Sequence, residues 1–328
     1  QCLLDTLKQT YNLVWFCKKA NIPFRVYGFQ SGYHSSYRYG SYLHDGFEHQ
    51  ENQLAVGDDF RLLEFLSSRQ NNKSLEESMR VLYMQVFSMN NYNITGCNKY
   101  GLGGTPLDDS IILTPSIVYE FKKSTGAEIV NAVYLTDGES RTSHAMIDFG
   151  DKWVDTGDQY RDSRLNQNYG NYFVNGYHPI AARRRYSYGG NHRAFIKCRN
   201  GKTFDLGASQ TEDLLKYVKA STGINVLGIF LAPRRWWKQR GFWDFDNNDW
   251  QKYSESFKKG SVGVENTHGY DERYFINIDK MRGLEDTNLD GLAEDATKGQ
   301  IKTAFKKMVG NRLSNRVILN SMIDKIAA

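Results

Sequence analysis

The residues of this chain that could do chemistry stand in loops and at the ends of apolar runs. Thr105 follows a glycine-rich turn (101–104) and precedes Pro106, Leu107, Asp108 and Asp109. That order fits a helix start, with a hydroxyl at the N-cap, proline at the first helical position and acids facing the positive end of the helix dipole. Asp137 and Gly138 close a β-branched run (129–135), the composition of a strand-end turn. Two stretches imitate calcium loops, which need Gly at the sixth place and Glu at the twelfth. Asp244, Asp246, Asn248 and Glu255 put Asp249 at the glycine's place, whereas Asp286, Asn288 and Asp290 have Gly291 but Thr297 at the twelfth. Both read as solvated loops.

His34, His44, His49, His144, His178, His192 and His268 are scattered without metal-ligand spacing, and no Ser/His/Asp or Cys/His motif is recognisable. Cys2, Cys17, Cys97 and Cys198 form no C-x-x-C pair, so neither a zinc site nor a disulfide framework is suggested and a reducing compartment is expected. Asn93-Ile94-Thr95 is a glycosylation sequon that stays unmodified in the cytosol. Arg234, Arg235, Trp236, Trp237, Lys238 and Arg240 interleave cations with indoles, which suits stacking on nucleobases or clamping phosphates. Together with Arg183, Arg184 and Arg185 they are the best basic patch. The plain alternative has the tryptophans packed over a sheet edge while the arginines reach water or pair with Asp244, Asp246 and Asp249.

Helices and strands must position these residues. Leu4, Leu7, Tyr11, Val14 and Cys17 predict a helix over 2–20, stopped by Asn21-Ile22-Pro23, and 24–29 reads as a short strand. A loop is expected over 31–50. Leu62, Leu63 and Leu66, then Leu75, Met79, Leu82, Val86 and Met89, predict two helical stripes of core packing separated by Asn71-Asn72. A helix from Thr105 to Ser124 ends at Gly126, and one over 210–221 ends at Gly223. Strands are expected at 129–135, 226–233 and 273–278, and a terminal helix at 298–327. Residues 140–207 and 234–270 read as insertions; in the first, Asn200-Gly201 between two β-like runs is the strongest hairpin signal of the chain. The alternation predicts a single α/β domain with a largely parallel sheet.

The 328 residues, 40% hydrophobic and 24% charged, match a folded protein and exclude a disordered or fibrous one. The net charge of +5 is too dilute over that length to imply nucleic-acid binding. The apolar run 226–232 falls well short of the ~20 residues that cross a bilayer, and no secretory signal is visible, so a cytoplasmic protein without a membrane is expected.

Taken in order, the Gly-Gly-Thr turn opening a helix, the run ending in Leu135-Thr136-Asp137-Gly138 and the later Val226-Leu227-Gly228-Ile229 strand resemble a von Willebrand factor A (VWA) domain. Residues 12–17 and 22–29 look like the VWA part of cobaltochelatase CobT-type subunits, most of all those of large tailed phages, and Asn315-Arg316-Val317-Ile318-Leu319 is similar to their final helix. The resemblance covers 1–30, 100–140, 210–233 and 272–328. It implies a Rossmann-like sheet with a metal-ion-dependent adhesion site, Thr105 and Asp137 as Mg²⁺ ligands, and Gly104, Gly138 and Glu139 on the partner-binding surface. Hydroxyl and carboxylate are hard donors that suit Mg²⁺. The family's Asp-x-Ser-x-Ser loop does not occur between Gln1 and Thr105. The reading expects it upstream of Gln1 together with the central strand, which leaves metal binding weak in the sequence given; a degenerate site is the alternative.

The function implied is that of a non-catalytic subunit working with a MoxR- or CobS-type AAA+ ATPase in a remodelling or chelatase-like complex, in the host cytoplasm if phage-encoded. Two alternatives stand beside it. A metal-dependent hydrolase or true cobalt or magnesium chelatase subunit would use Glu139, His144 and Asp148, and a nucleic-acid binder would use 234–240.

Overall fold

The computed structural model describes residues 2–30, 53–57, 60–90, 96, 105–136, 147–148, 171–182, 193–198, 200–206, 210–232, 253–255, 257–258 and 260–279. Helix α1 (Cys2–Lys19) forms where predicted, with Leu7, Tyr11 and Val14 as buried positions of its stripe. Asn21, at φ 54°, and Pro23 end it. β1 (Arg25–Gln30) follows, and β2 (Gln53–Gly57) is a strand the periodicity did not predict.

The helix expected from Leu62, Leu63 and Leu66 is instead β3 (Arg61–Ser67), antiparallel to β1 with Leu63 opposite Gly28 and Leu66 opposite Val26. Seven residues between Asp58-Asp59 and Ser67-Ser68 make a strand-length segment, and an open strand edge beside it captures the backbone. The second stripe is a helix, α2 (Asn72–Asn90). Asn71 Oδ1 accepts the Ser74 N–H at 2.9 Å at its start. Leu75, Met79, Leu82 and Val86 are buried, while Met89, expected in the core, is exposed.

α3 (Leu107–Thr125) ends at Gly126, whose N–H bonds to the Lys122 carbonyl at 2.9 Å, and β4 (Asn131–Thr136) follows. β5 (Ile147–Asp148), β6 (Asn171–Ala182), β7 (Arg193–Lys197) and β8 (Thr203–Leu206) come next. β7 and β8 are the hairpin predicted at Asn200-Gly201: Gly201 has φ 79°, which an L-residue adopts only with strain, and Cys198 N–H bonds to Lys202 O at 2.9 Å. α4 (Gln210–Thr222), β9 (Asn225–Ala232), β10 (Ser261–Thr267) and β11 (Tyr270–Asn277) complete the described elements.

The three strands expected to be parallel are neighbours: β9 lies between β4 and β11, parallel to both, in a sheet of order β10-β11-β9-β4. β10, from the stretch read as an insertion over 234–270, is its antiparallel edge. β5 to β8, from the stretch read as an insertion over 140–207, join β2 in a second sheet of order β5-β2-β6-β7-β8. Among the described residues four strand pairings are parallel and four antiparallel, so the chain is a mixed α/β protein with mixed sheets rather than one mostly parallel sheet.

The layers follow from which side chains meet. Leu227, Ile229, Leu231, Tyr274 and Ile276 of the first sheet pack toward Leu13 of α1. Its opposite face, with Tyr134, Val226, Phe230 and Phe275, packs on α3 and α4 through Ile111, Ile112, Leu214 and Val218, and the same cluster takes in Leu54, Val56, Ile196 and Leu206 of the second sheet. α3 and α4 therefore lie between two sheets, which is why residues 107–112 are buried all round the helix. The loop expected over 31–50 and the terminal helix over 298–327 lie outside the described residues. No helix among the described residues is long and apolar enough to cross a membrane.

Candidate functional site

The geometry of α3 decides which end of the sheet Thr105 occupies. Thr114 on α3 and Tyr134 on β4 share a hydrogen bond of 2.6 Å between their hydroxyls, and α3 runs into β4 through a short turn, so the two are antiparallel. Nine residues from Thr114 back to Thr105 rise roughly 13 Å, and two residues from Tyr134 to Thr136 roughly 7 Å in the same direction. Thr105 is thus at the carboxyl end of the strands, the edge where open α/β sheets bind ligands. Buried Thr136 ends β4 there, and buried Asn277 ends β11, its amide donating to Phe257 O at 3.2 Å.

The start of α3 corrects the capping expectation. Pro106, not Thr105, occupies the N-cap place, no side-chain cap bond is made, and the Ser110 N–H reaches Pro106 O at 3.2 Å. Helical geometry begins one residue later than expected, and Asp108 and Asp109 supply the negative charge that the first turn favours. Both are buried, Asp108 at 3% and Asp109 at 0% exposure, where a solvated pair of acids would be ordinary.

Burial of that charge is compensated partly from α4. Thr211 Oγ1 donates to Asp108 Oδ1 at 2.6 Å at one end of the helix pair, and Lys122 Nζ donates to Thr222 O at 3.3 Å at the other. The two helices therefore start together and end together. Beneath them Arg273, 6% exposed, lays its guanidinium over Phe230 at 4.7 Å, Phe275 at 5.0 Å and Tyr270 at 5.8 Å, and its Nη1 meets His268 Nδ1 at 2.8 Å. Burial holds the Tyr270 hydroxyl well above its ordinary range; Arg273 opposes that shift and Asp108 adds to it. Burial does the same for Tyr134, with the Thr114 bond opposing.

Of the residues singled out from sequence, Thr105 is half-buried at this edge. Gly104, Asp137, Gly138 and Glu139 lie outside the described residues, as do Arg183 to Arg185 and Arg234, Arg235, Trp236, Trp237, Lys238 and Arg240. Asp148 lies in β5, at the edge of the second sheet opposite Gln53. Glu255 forms an ion pair with Lys258, and the remaining members of both calcium-like loops lie outside the described residues. Among the described residues no three His, Cys, Asp or Glu side chains cluster as a metal-holding group.

The sequence reading missed the buried partners: Asp108 as an anchor, Thr211 and Arg273. A signal for two of them existed. Asp108 is in helical phase with Ile111 and Ile112, and Arg273 is in strand phase with Phe275, so each charge sits on an inward stripe. No family model, curated protein or solved structure matches this chain.

Proposed function

We propose that the chain is a VWA-type, metal-dependent interaction subunit that holds an acidic side chain of a partner through Mg²⁺, the partner being a MoxR- or CobS-type AAA+ ATPase that supplies the ATP hydrolysis. The observation that carries the reading is the placement of Thr105 at the start of α3, at the carboxyl end of β4, β9 and β11, with Asp137 the residue after β4's last one. A threonine hydroxyl and an aspartate carboxylate are hard oxygen donors of the kind Mg²⁺ takes, and the ion would offer an open position to a carboxylate.

Strand order supports the same reading. β4, β9 and β11 are consecutive and parallel, as the last three strands of a doubly wound 3-2-1-4-5-6 sheet are, while β1 and β3 form a two-stranded sheet of their own. α1 packs Leu7, Tyr11 and Val14 with the β1–β3 pair and Leu13 with the β4–β9–β11 group. β3 runs antiparallel to β1 within that pair.

The test is capture of a purified MoxR-type ATPase by the full-length protein in Mg²⁺ and in EDTA, with the Asp137→Ala variant alongside. The reading expects capture in Mg²⁺ that EDTA and the substitution both abolish. Capture indifferent to both would sink the metal bridge.

A further inference from the structure

We propose that Asn200 is a site of self-modification: in the native chain its side-chain amide is lost by ring closure onto Gly201, leaving aspartate or isoaspartate at the tip of the β7–β8 hairpin. Asparagine is chemically labile, most of all before glycine, where no side chain shields the attacking nitrogen. Water is the sole co-reactant. The Gly201 amide nitrogen, its proton passed to hydroxide, bonds to Asn200 Cγ; the Cγ–Nδ2 bond breaks and ammonia leaves with a proton from water. A second water then opens the five-membered ring at either carbonyl. Opening at Cγ gives aspartate, and opening at the main-chain carbonyl gives isoaspartate, whose backbone runs through Cγ. Nothing is oxidised or reduced.

The chain carries this dipeptide at 175–176 and again at 200–201, and the fold treats the two oppositely. Asn175 lies inside β6, opposite Gln53 of β2 and Lys197 of β7, so ring closure there requires pulling β6 away from a paired neighbour. Asn200 and Gly201 are exposed, and their turn is held by local bonds: Gly201 N–H to Cys198 O at 3.0 Å, Cys198 N–H to Lys202 O at 2.9 Å, and Lys202 N–H to Asn200 Oδ1 at 3.1 Å. Opening that turn frees both reacting groups while β7 stays paired with β6. A hairpin tip opens at far lower cost than an inner strand leaves its sheet. The isoaspartate product has a structural consequence. It adds a backbone carbon between the positions that set the Cys198–Lys202 and Lys197–Thr203 pairings, and so shifts β8 against β7. Buried Leu206 and the edge-to-face contact of Phe204 with Tyr217 on α4 depend on that register.

The experiment incubates the chain in mildly alkaline buffer, native and in urea, and follows each amide by peptide mass spectrometry and isoaspartate by enzymatic methylation. In urea Asn175 and Asn200 are expected to convert at similar rates, and in the native chain Asn200 at least about tenfold faster than Asn175. Native conversion of Asn200 no faster than that of Asn175 overturns the proposal. Gly201→Ala, compared in urea so that its folding does not enter, should slow loss at Asn200 and leave Asn175 unchanged; an unaltered rate at Asn200 overturns ring closure through the Gly201 nitrogen. Asn200→Asp keeps an acceptor for the Lys202 N–H and should melt with the parent, whereas the separated isoaspartate fraction should melt lower. An isoaspartate fraction that melts with the parent overturns the register shift.

Discussion

Two tyrosines buried against α3 and the first sheet differ by one hydrogen bond. Tyr134 shares its hydroxyl with Thr114, whereas the Tyr270 hydroxyl is buried with no hydrogen-bond partner among the described residues. Tyr134→Phe is therefore expected to cost about 1 kcal/mol in urea unfolding, and Tyr270→Phe to be neutral or stabilising by up to about 1 kcal/mol, because an unmade bond has only its desolvation cost to give back. Cys17 is a second residue-scale case. Burial pushes its thiol up to about 11, so iodoacetamide at pH 8 should modify it far more slowly in the native chain than in urea, as mass spectrometry of the Cys17 peptide would show. Equal rates in both would contradict the burial.

At the scale of elements, two turns make contrasting demands on glycine. Gly201 turns the β7–β8 hairpin at φ 79° with open space around it, so Gly201→Ala should cost about 1 kcal/mol from backbone strain alone. Gly269, between β10 and β11, combines φ 81° with an approach that would put a Cβ 2.7 Å from Glu212 O and 2.9 Å from Leu215 Cβ on α4. Gly269→Ala should cost about 2–4 kcal/mol, since strain and a clash with helix backbone add. Thermal melts of the two variants side by side check the ranking. The hairpin was legible because Asn-Gly is a local signal. The 60s segment was not, because its leucines fit helical and strand spacing alike until β1 is placed beside it.

For the whole molecule, the buried ionisable hydroxyls and thiol set an alkaline limit. Burial raises Tyr11, Tyr134, Tyr217 and Tyr270 above the ordinary 10.0, and Cys17 from 9.0 to about 11. In the unfolded chain these groups release protons near pH 9 to 10 while the native chain retains them. Their contribution is fully present below pH 9 and is lost as pH rises through the native values, by up to about 1.4 kcal/mol per group per pH unit. The urea midpoint should hold between pH 7 and 8.5 and fall from pH 9.5 to 11; a flat profile across that range would show these groups to be solvated.

The sequence by itself determined the features written over a few neighbouring residues: the amphipathic stripe of α1, the Gly126 and Gly223 helix stops, the Asn200-Gly201 turn, and the three strand-like runs that became β4, β9 and β11. Each follows from local sterics and periodicity. Only the tertiary structure decided that 61–67 is a strand, that β2 completes a second sheet, and that Asp108, Asp109 and Arg273 are buried. The physical reason is the covering of α3 and α4 on both faces. A single amphipathic stripe records burial against one layer, whereas a helix pair held between two sheets buries its polar first turn as well, and the charges there are retained by partners distant in sequence such as Thr211.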